Sequence, residues 1–173
     1  MALTCKLAND LLRENSCGYV LQSVQTIYLA NTADVTAFDI ETGAVTLSGE
    51  TKWYKIEPAK NTASFTDVLN VTDSGNKYRT HTLSFSVAGV YSTDLKDALD
   101  NLSLGSYLAI AVFASGEGVL LGTKNAGLEA TVVTNTGAAS ASEASGISVE
   151  MSTDLTNSAF PIADVDAIVN PGA

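Results

Sequence analysis

The stretch Lys77-Tyr78-Arg79-Thr80-His81-Thr82-Leu83-Ser84-Phe85-Ser86-Val87-Ala88 decides the fold class. Its side chains alternate. Tyr78, Thr80, Thr82, Ser84 and Ser86 fall on one face, while Arg79, His81, Leu83, Phe85 and Val87 fall on the other. A pleated strand imposes this period of two, because successive Cβ atoms leave opposite sides of the sheet. The end carrying Leu83, Phe85 and Val87 seeks a core, so the stretch predicts a half-wet strand of an antiparallel sheet.

Toward the N-terminus, residues 19–30 are rich in β-branched and aromatic side chains and read as a strand, closed by Asn31-Thr32-Ala33-Asp34. Shorter strands are expected at 44–47 and at 52–57, the second holding the only tryptophan, Trp53, and ended by Pro58. Residues 63–71 read as a further strand, stopped by Thr72-Asp73-Ser74-Gly75-Asn76. Residues 7–15 have room for one or two helical turns.

Toward the C-terminus one helix is expected, over about 92–104. Ser92 or Thr93 caps it, and Asp94 and Asp97 stand in the first turn, where the helix dipole favours negative charge. Leu95, Ala98, Leu99 and Leu102 form its apolar stripe and Gly105 stops it. The stripe is short, so the helix must pack on a sheet. Residues 107–114 form a nearly continuous apolar run that predicts a strand buried on both faces. Strands follow at 118–122, 128–135 and 147–152. Gly116-Glu117-Gly118 reads as a hairpin turn, and Thr123-Lys124-Asn125-Ala126-Gly127 as a hairpin connection. Residues 136–146 are small and polar and read as a flexible loop. The acidic tail 161–173 is expected to order only against a neighbour. The pattern predicts one mainly β domain over 1–173: an antiparallel sandwich or partly open barrel flanked by one helix.

The chain is 173 residues long, 46% hydrophobic and only 16% charged, enough to bury a core without staples. No apolar run reaches about 20 residues, so no helical membrane span is expected. The N-terminus lacks the basic and apolar regions of a secretion signal. Charge is uneven. Residues 1–90 hold seven Lys or Arg against nine Asp or Glu, whereas residues 91–173 hold only Lys96 and Lys124 against ten acids. Gripping a nucleic acid requires cations that replace phosphate counterions, so binding of that kind is disfavoured, while repelling a polyanion, as the wall of a DNA passage would, is compatible with this half.

Little in the sequence supports catalysis. His81 is the only histidine, and its place in a patterned strand makes a structural role the default. Asp94, Asp97 and Asp100 read as capping and solubility rather than as a carboxylate pair. Asp164-Val165-Asp166 resembles half a calcium loop, without the glycine and spaced glutamate that complete one. Cys5 and Cys17 lack the partners of a zinc site and read as reduced thiols, a disulfide being the alternative. No catalytic residue, cofactor or metal is expected.

The order of elements from Thr80 onward resembles bacteriophage tail-tube proteins and the tubes of contractile injection systems. It runs Thr80–Gly89, the capped helix, the apolar strand 107–114, and the stretch 118–130. The N-terminal part, with Cys5, Cys17 and Ile27-Tyr28-Leu29-Ala30-Asn31, resembles small virion proteins of phages with Bacteroidetes-type hosts. The resemblance implies a virion subunit that self-associates into hexameric rings, stacked with other virion proteins around a DNA-conducting channel and assembled in the host cytoplasm. It implies non-specific passage of DNA without tight binding. Glu117, Glu129, Glu143 and Glu150 are then the candidates for facing the lumen, and the segments 31–52 and 136–146 and both termini for touching the next ring. Alternatives are another virion part, such as a tail terminator, connector ring or capsid decoration protein, and a secreted or surface β-sandwich binding module.

Overall fold

A computed structural model describes residues 23–49, 51–89, 92–137 and 146–170. Eleven strands and two α-helices are defined there, with a 3-10 turn at Thr32–Asp34: β1 Val24–Asn31, β2 Val35–Phe38, β3 Val45–Leu47, β4 Tyr54–Ile56, β5 Ser64–Val71, β6 Lys77–Ala88, α1 Thr93–Leu104, β7 Ser106–Phe113, β8 Gly118–Leu121, β9 Leu128–Thr136, β10 Gly146–Leu155, β11 Phe160–Ile162 and α2 Asp166–Val169. Nine of the strands form one antiparallel sheet and β2 and β3 a separate hairpin.

The large sheet forks at β7. One edge of β7 pairs with β1 along almost its whole length, and β1 pairs in turn with β4. The other edge is shared. Ala109–Val112 pair with β8, and then Tyr107 and Ser106 pair with Leu128 and Glu129 of β9. From there β9 leaves to join β10, β6 and β5. The fork gives two sheet portions, β4-β1-β7-β8-β11 and β9-β10-β6-β5, that enclose a common core.

That core takes Ile27 and Leu29 from β1, Ala109 and Ala111 from β7 and Leu121 from β8. From the opposing portion come Leu83 and Phe85 of β6 and Ile147, Val149 and Met151 of β10. The Phe65 and Phe113 rings, 5.9 Å apart between centroids, join β5 to β7 across it. Each fully buried aliphatic side chain of this kind contributes about 1.5–3 kcal/mol. A second core lies on the far face of β7. There Leu108 and Ile110 meet Leu120, Trp53, Phe160 and Ile162 under the β2–β3 hairpin and α2. Strand β7 is thus buried on both faces, as its continuous apolar run predicted. The sheet does not close on itself, and the mainly β, partly open architecture with a flanking helix holds.

Ser92 caps α1 by accepting from the Leu95 N–H at 3.3 Å. Leu95, Leu99 and Leu102 pack on the first core, while the charged face stays in water, with Lys96 reaching Asp100 at 2.6 Å.

Two expectations are corrected. The 123–127 connection is not a hairpin, because β8 and β9 follow one another along the same edge of β7. Residues 122–127 loop out between them, closed by reciprocal Thr123–Ala126 backbone bonds. The C-terminal tail orders within its own chain through Asn170, since Phe160, Ile162 and Val165 are buried in the second core. The segment 31–52 holds apolar anchors of its own: Val35, Phe38, Val45 and Leu47 pack into that same core. The expected loop 136–146 starts and ends in paired strands, with Thr136 opposite Gly146; its interior, 138–145, lies outside the described residues. So do Cys5, Cys17 and the short helix expected at 7–15.

Candidate functional site

The most distinctive surface is the outer face of β5-β6-β10-β9. The inward side of these strands is settled by Phe65, Leu83, Phe85, Val149 and Met151, so the alternate residues all point away from the core. Cross-strand rows follow from the register. One is Ser64, Ser84, Glu150 and Val132; the next is Thr66, Thr82, Ser152 and Glu129; a third is Val68, Thr80 and Asp154. Hydrogen bonds tie them laterally. Thr80 Oγ1 donates to Asp154 Oδ1 at 2.6 Å, Asn70 Nδ2 donates to Thr80 Oγ1 at 2.8 Å, and the Ser86 and Ser148 hydroxyls meet at 2.8 Å.

No strand position on this face is Lys or Arg among the described residues. The two cations of the acidic half lie elsewhere, Lys96 on α1 and Lys124 on the 122–127 loop, where it donates to the Thr36 carbonyl at 3.2 Å. Of the acids singled out from the sequence, Glu129 and Glu150 fall together on the polar face. Glu117 stands apart in the β7–β8 turn, whose Glu117 carbonyl accepts from the Phe113 N–H at 2.8 Å. Glu143 lies outside the described residues. Asp154 joins the pair and was missed. Continuing the alternation of 147–152 by one more step would have found it.

The edges of this portion matter as much as its face. Among the described residues β5 pairs only with β6, and its other edge carries no strand. β9 pairs with β7 only at Leu128 and Glu129; beyond them, among the described residues, α1 is the element beside it, and no strand. Val68 on β5 and Val132 on β9 are both about half exposed, at 48% and 50%.

Behind the face, at the end of the sandwich away from α1, a polar knot joins the two sheet portions. His81 is fully buried. Its Nδ1 accepts from the Gly122 N–H at 3.2 Å, which leaves the proton on Nε2 to be donated to the Asn157 carbonyl at 3.1 Å. Asp67 takes the Arg79 guanidinium on Oδ1 at 2.7 Å and the Ala159 N–H on Oδ2 at 3.0 Å. Burial pushes the His81 imidazole below its ordinary pKa, more strongly than the Asp67 charge and the Asn157 bond pull it up. Burial also opposes ionisation of Asp67, yet the Ala159 N–H, Arg79 and His81 together hold its carboxyl below the usual value. Both His81 ring nitrogens and both Asp67 carboxylate oxygens are engaged within the fold, which is the chemistry of a clamp.

A scan against protein-family models matches none of them, and searches of curated proteins and of solved structures return no match. The reading of this surface therefore stands on its geometry and on the order of elements.

Proposed function

We propose that the chain is a structural subunit of a phage tail tube, assembling into stacked, six-membered rings with the β5-β6-β10-β9 face turned to a DNA channel. The observation that carries this reading is the cation-free polar face, bearing Glu129, Glu150 and Asp154, on a sheet portion whose β5 edge is open among the described residues. A duplex carries one charge per about 1.7 Å of axis, and each Lys or Arg along its path would add a favourable stop. A wall of hydroxyls and carboxylates offers none, so the polyanion slides. The open edge of β5 supplies unpaired N–H and C=O groups, which a neighbouring subunit satisfies by strand addition. Repeated round a ring, the four-stranded portions become the inner wall, and the second core with its β2–β3 cover lies outside.

The test is electron microscopy of the purified protein at high concentration, together with its mass by light scattering. Hollow rings or tubes are the expected result. A chain that keeps its monomer mass of 17.9 kDa at every concentration overturns the reading. Rings that never stack point instead to a terminator or connector.

A further inference from the structure

We infer that copies of this chain join head to tail by seating the tip of the β5–β6 hairpin of one copy in the groove beside α1 of the next. The inference rests on the tube reading for its axial direction only.

The hairpin outruns its sheet. β10 pairs with β6 only as far as Arg79, opposite Leu155, whereas β5 and β6 continue to Val71 and Lys77. On this projecting tip Leu69 and Val71 point to the side that is core elsewhere, yet they are 53% and 59% exposed. Beyond the His81 clamp the opposing sheet portion no longer covers that side. Two aliphatic side chains thus stand in water on a strand whose other inward residues are covered.

At the opposite end the sandwich gapes. A groove of about 1130 Å³ runs between α1 and the two sheet portions, floored by Ile56, Val87, Leu95, Leu99 and Ile147. Tyr54 and Leu104 stand on it as well, 51% and 90% exposed. Val87 and Lys77 lie ten residues apart on β6, so groove and tip are separated by roughly 33 Å along the strand direction. An apolar projection at one end and an apolar groove at the other cannot meet within one chain. Between copies they meet heterologously, and such a contact carries from one copy to the next, closing into a ring or running on as an open chain according to the rotation between them.

The experiment uses the full chain with Cys5 and Cys17 replaced by Ser. One preparation carries Val71→Cys, the other Leu104→Cys, both at exposed positions. Mild oxidation of the mixture is expected to give the mixed Val71-to-Leu104 dimer, with neither preparation cross-linking alone. Adding Leu69→Asp to the Val71→Cys copy should reduce the yield at least tenfold, with the far-ultraviolet circular dichroism unchanged. Absence of the mixed dimer, or dimers formed equally by each preparation alone, overturns the contact. Microscopy of the same samples separates the two readings. Rings without the cross-link remove the hairpin contact alone, and cross-linked open chains without rings remove the ring and keep the contact.

Discussion

His81 Nε2 stands 3.8 Å from Asp67 Oδ1, opposite it in the β5–β6 register, and gives its hydrogen bond elsewhere. Asp67 is already spent on Arg79 and on the Ala159 N–H, and His81 on Gly122 and Asn157. The two side chains share a buried site as neighbours, with the imidazole neutral. Together they fasten β5 and β6 to the loop after β8 and to the turn before β11, which is where the forked sheet would otherwise splay.

Replacing His81 by Ala removes both anchors and leaves the Gly122 N–H and the Asn157 carbonyl without their side-chain partner in a buried cavity. An unsatisfied buried group costs about 1–3 kcal/mol, and the cavity adds to it. Urea unfolding should place the His81→Ala variant about 2–4 kcal/mol below the parent. A loss below about 0.5 kcal/mol would mean that the clamp is ornamental.

Stability should fall as pH drops below neutrality. The folded-state pKa of His81 lies below the ordinary 6.5, so the unfolded chain takes up its proton first. The contribution is complete above pH 6.5 and is lost as pH falls below it. Asp67, whose pKa is also lowered, adds a loss of the same sign below its ordinary 3.8. Because His81 is the only histidine, melting temperatures at pH 7.5 and pH 5.5 should differ in the parent by more than in His81→Gln.

Asp67→Asn should act on its neighbours in two measurable ways. It strips Arg79, a partly buried cation, of its carboxylate, at a cost of about 1–3 kcal/mol in chemical denaturation. It also removes the charge that holds the His81 pKa up, so an NMR titration of the imidazole should move further down. An upward movement would contradict the arrangement of charges.

Glu129→Lys, Glu150→Lys and Asp154→Lys combined should leave folding within about 1–2 kcal/mol of the parent, since exposed substitutions cost little. Assemblies of this variant should retain short duplex DNA at low salt and release it as salt rises, while parent assemblies let it pass. Equal retention by both would remove the lumen assignment of this face.

Gly127→Ala probes the loop between β8 and β9. An added Cβ would press on the Thr32 methyl and sit 2.9 Å from the Tyr107 carbonyl oxygen, where backbone has no room to yield. A destabilisation of about 1–3 kcal/mol is expected from thermal unfolding, and none if the loop moves aside.

Much of this protein is local chemistry and was legible in the sequence. The alternation of β6, the unbroken apolar run of β7, the Ser92 cap with its leucine stripe, and the turns after Val71 and Phe113 each depend on residues a few positions apart. Such signals need no knowledge of partners. What tertiary structure decided is which edge meets which. The sharing of one β7 edge by β8 and β9 turned an apparent hairpin connection into a looped-out bridge. Burial of Ile162 and Val165 in the second core turned an apparent tail into a packed part of the fold. The gathering of Glu129, Glu150 and Asp154 on one cation-free face depends on the register between β9 and β10, and a slip of one residue would turn those acids toward the core. Local pattern sets which side of a strand is apolar; only long-range pairing sets what that side, and the opposite one, will face.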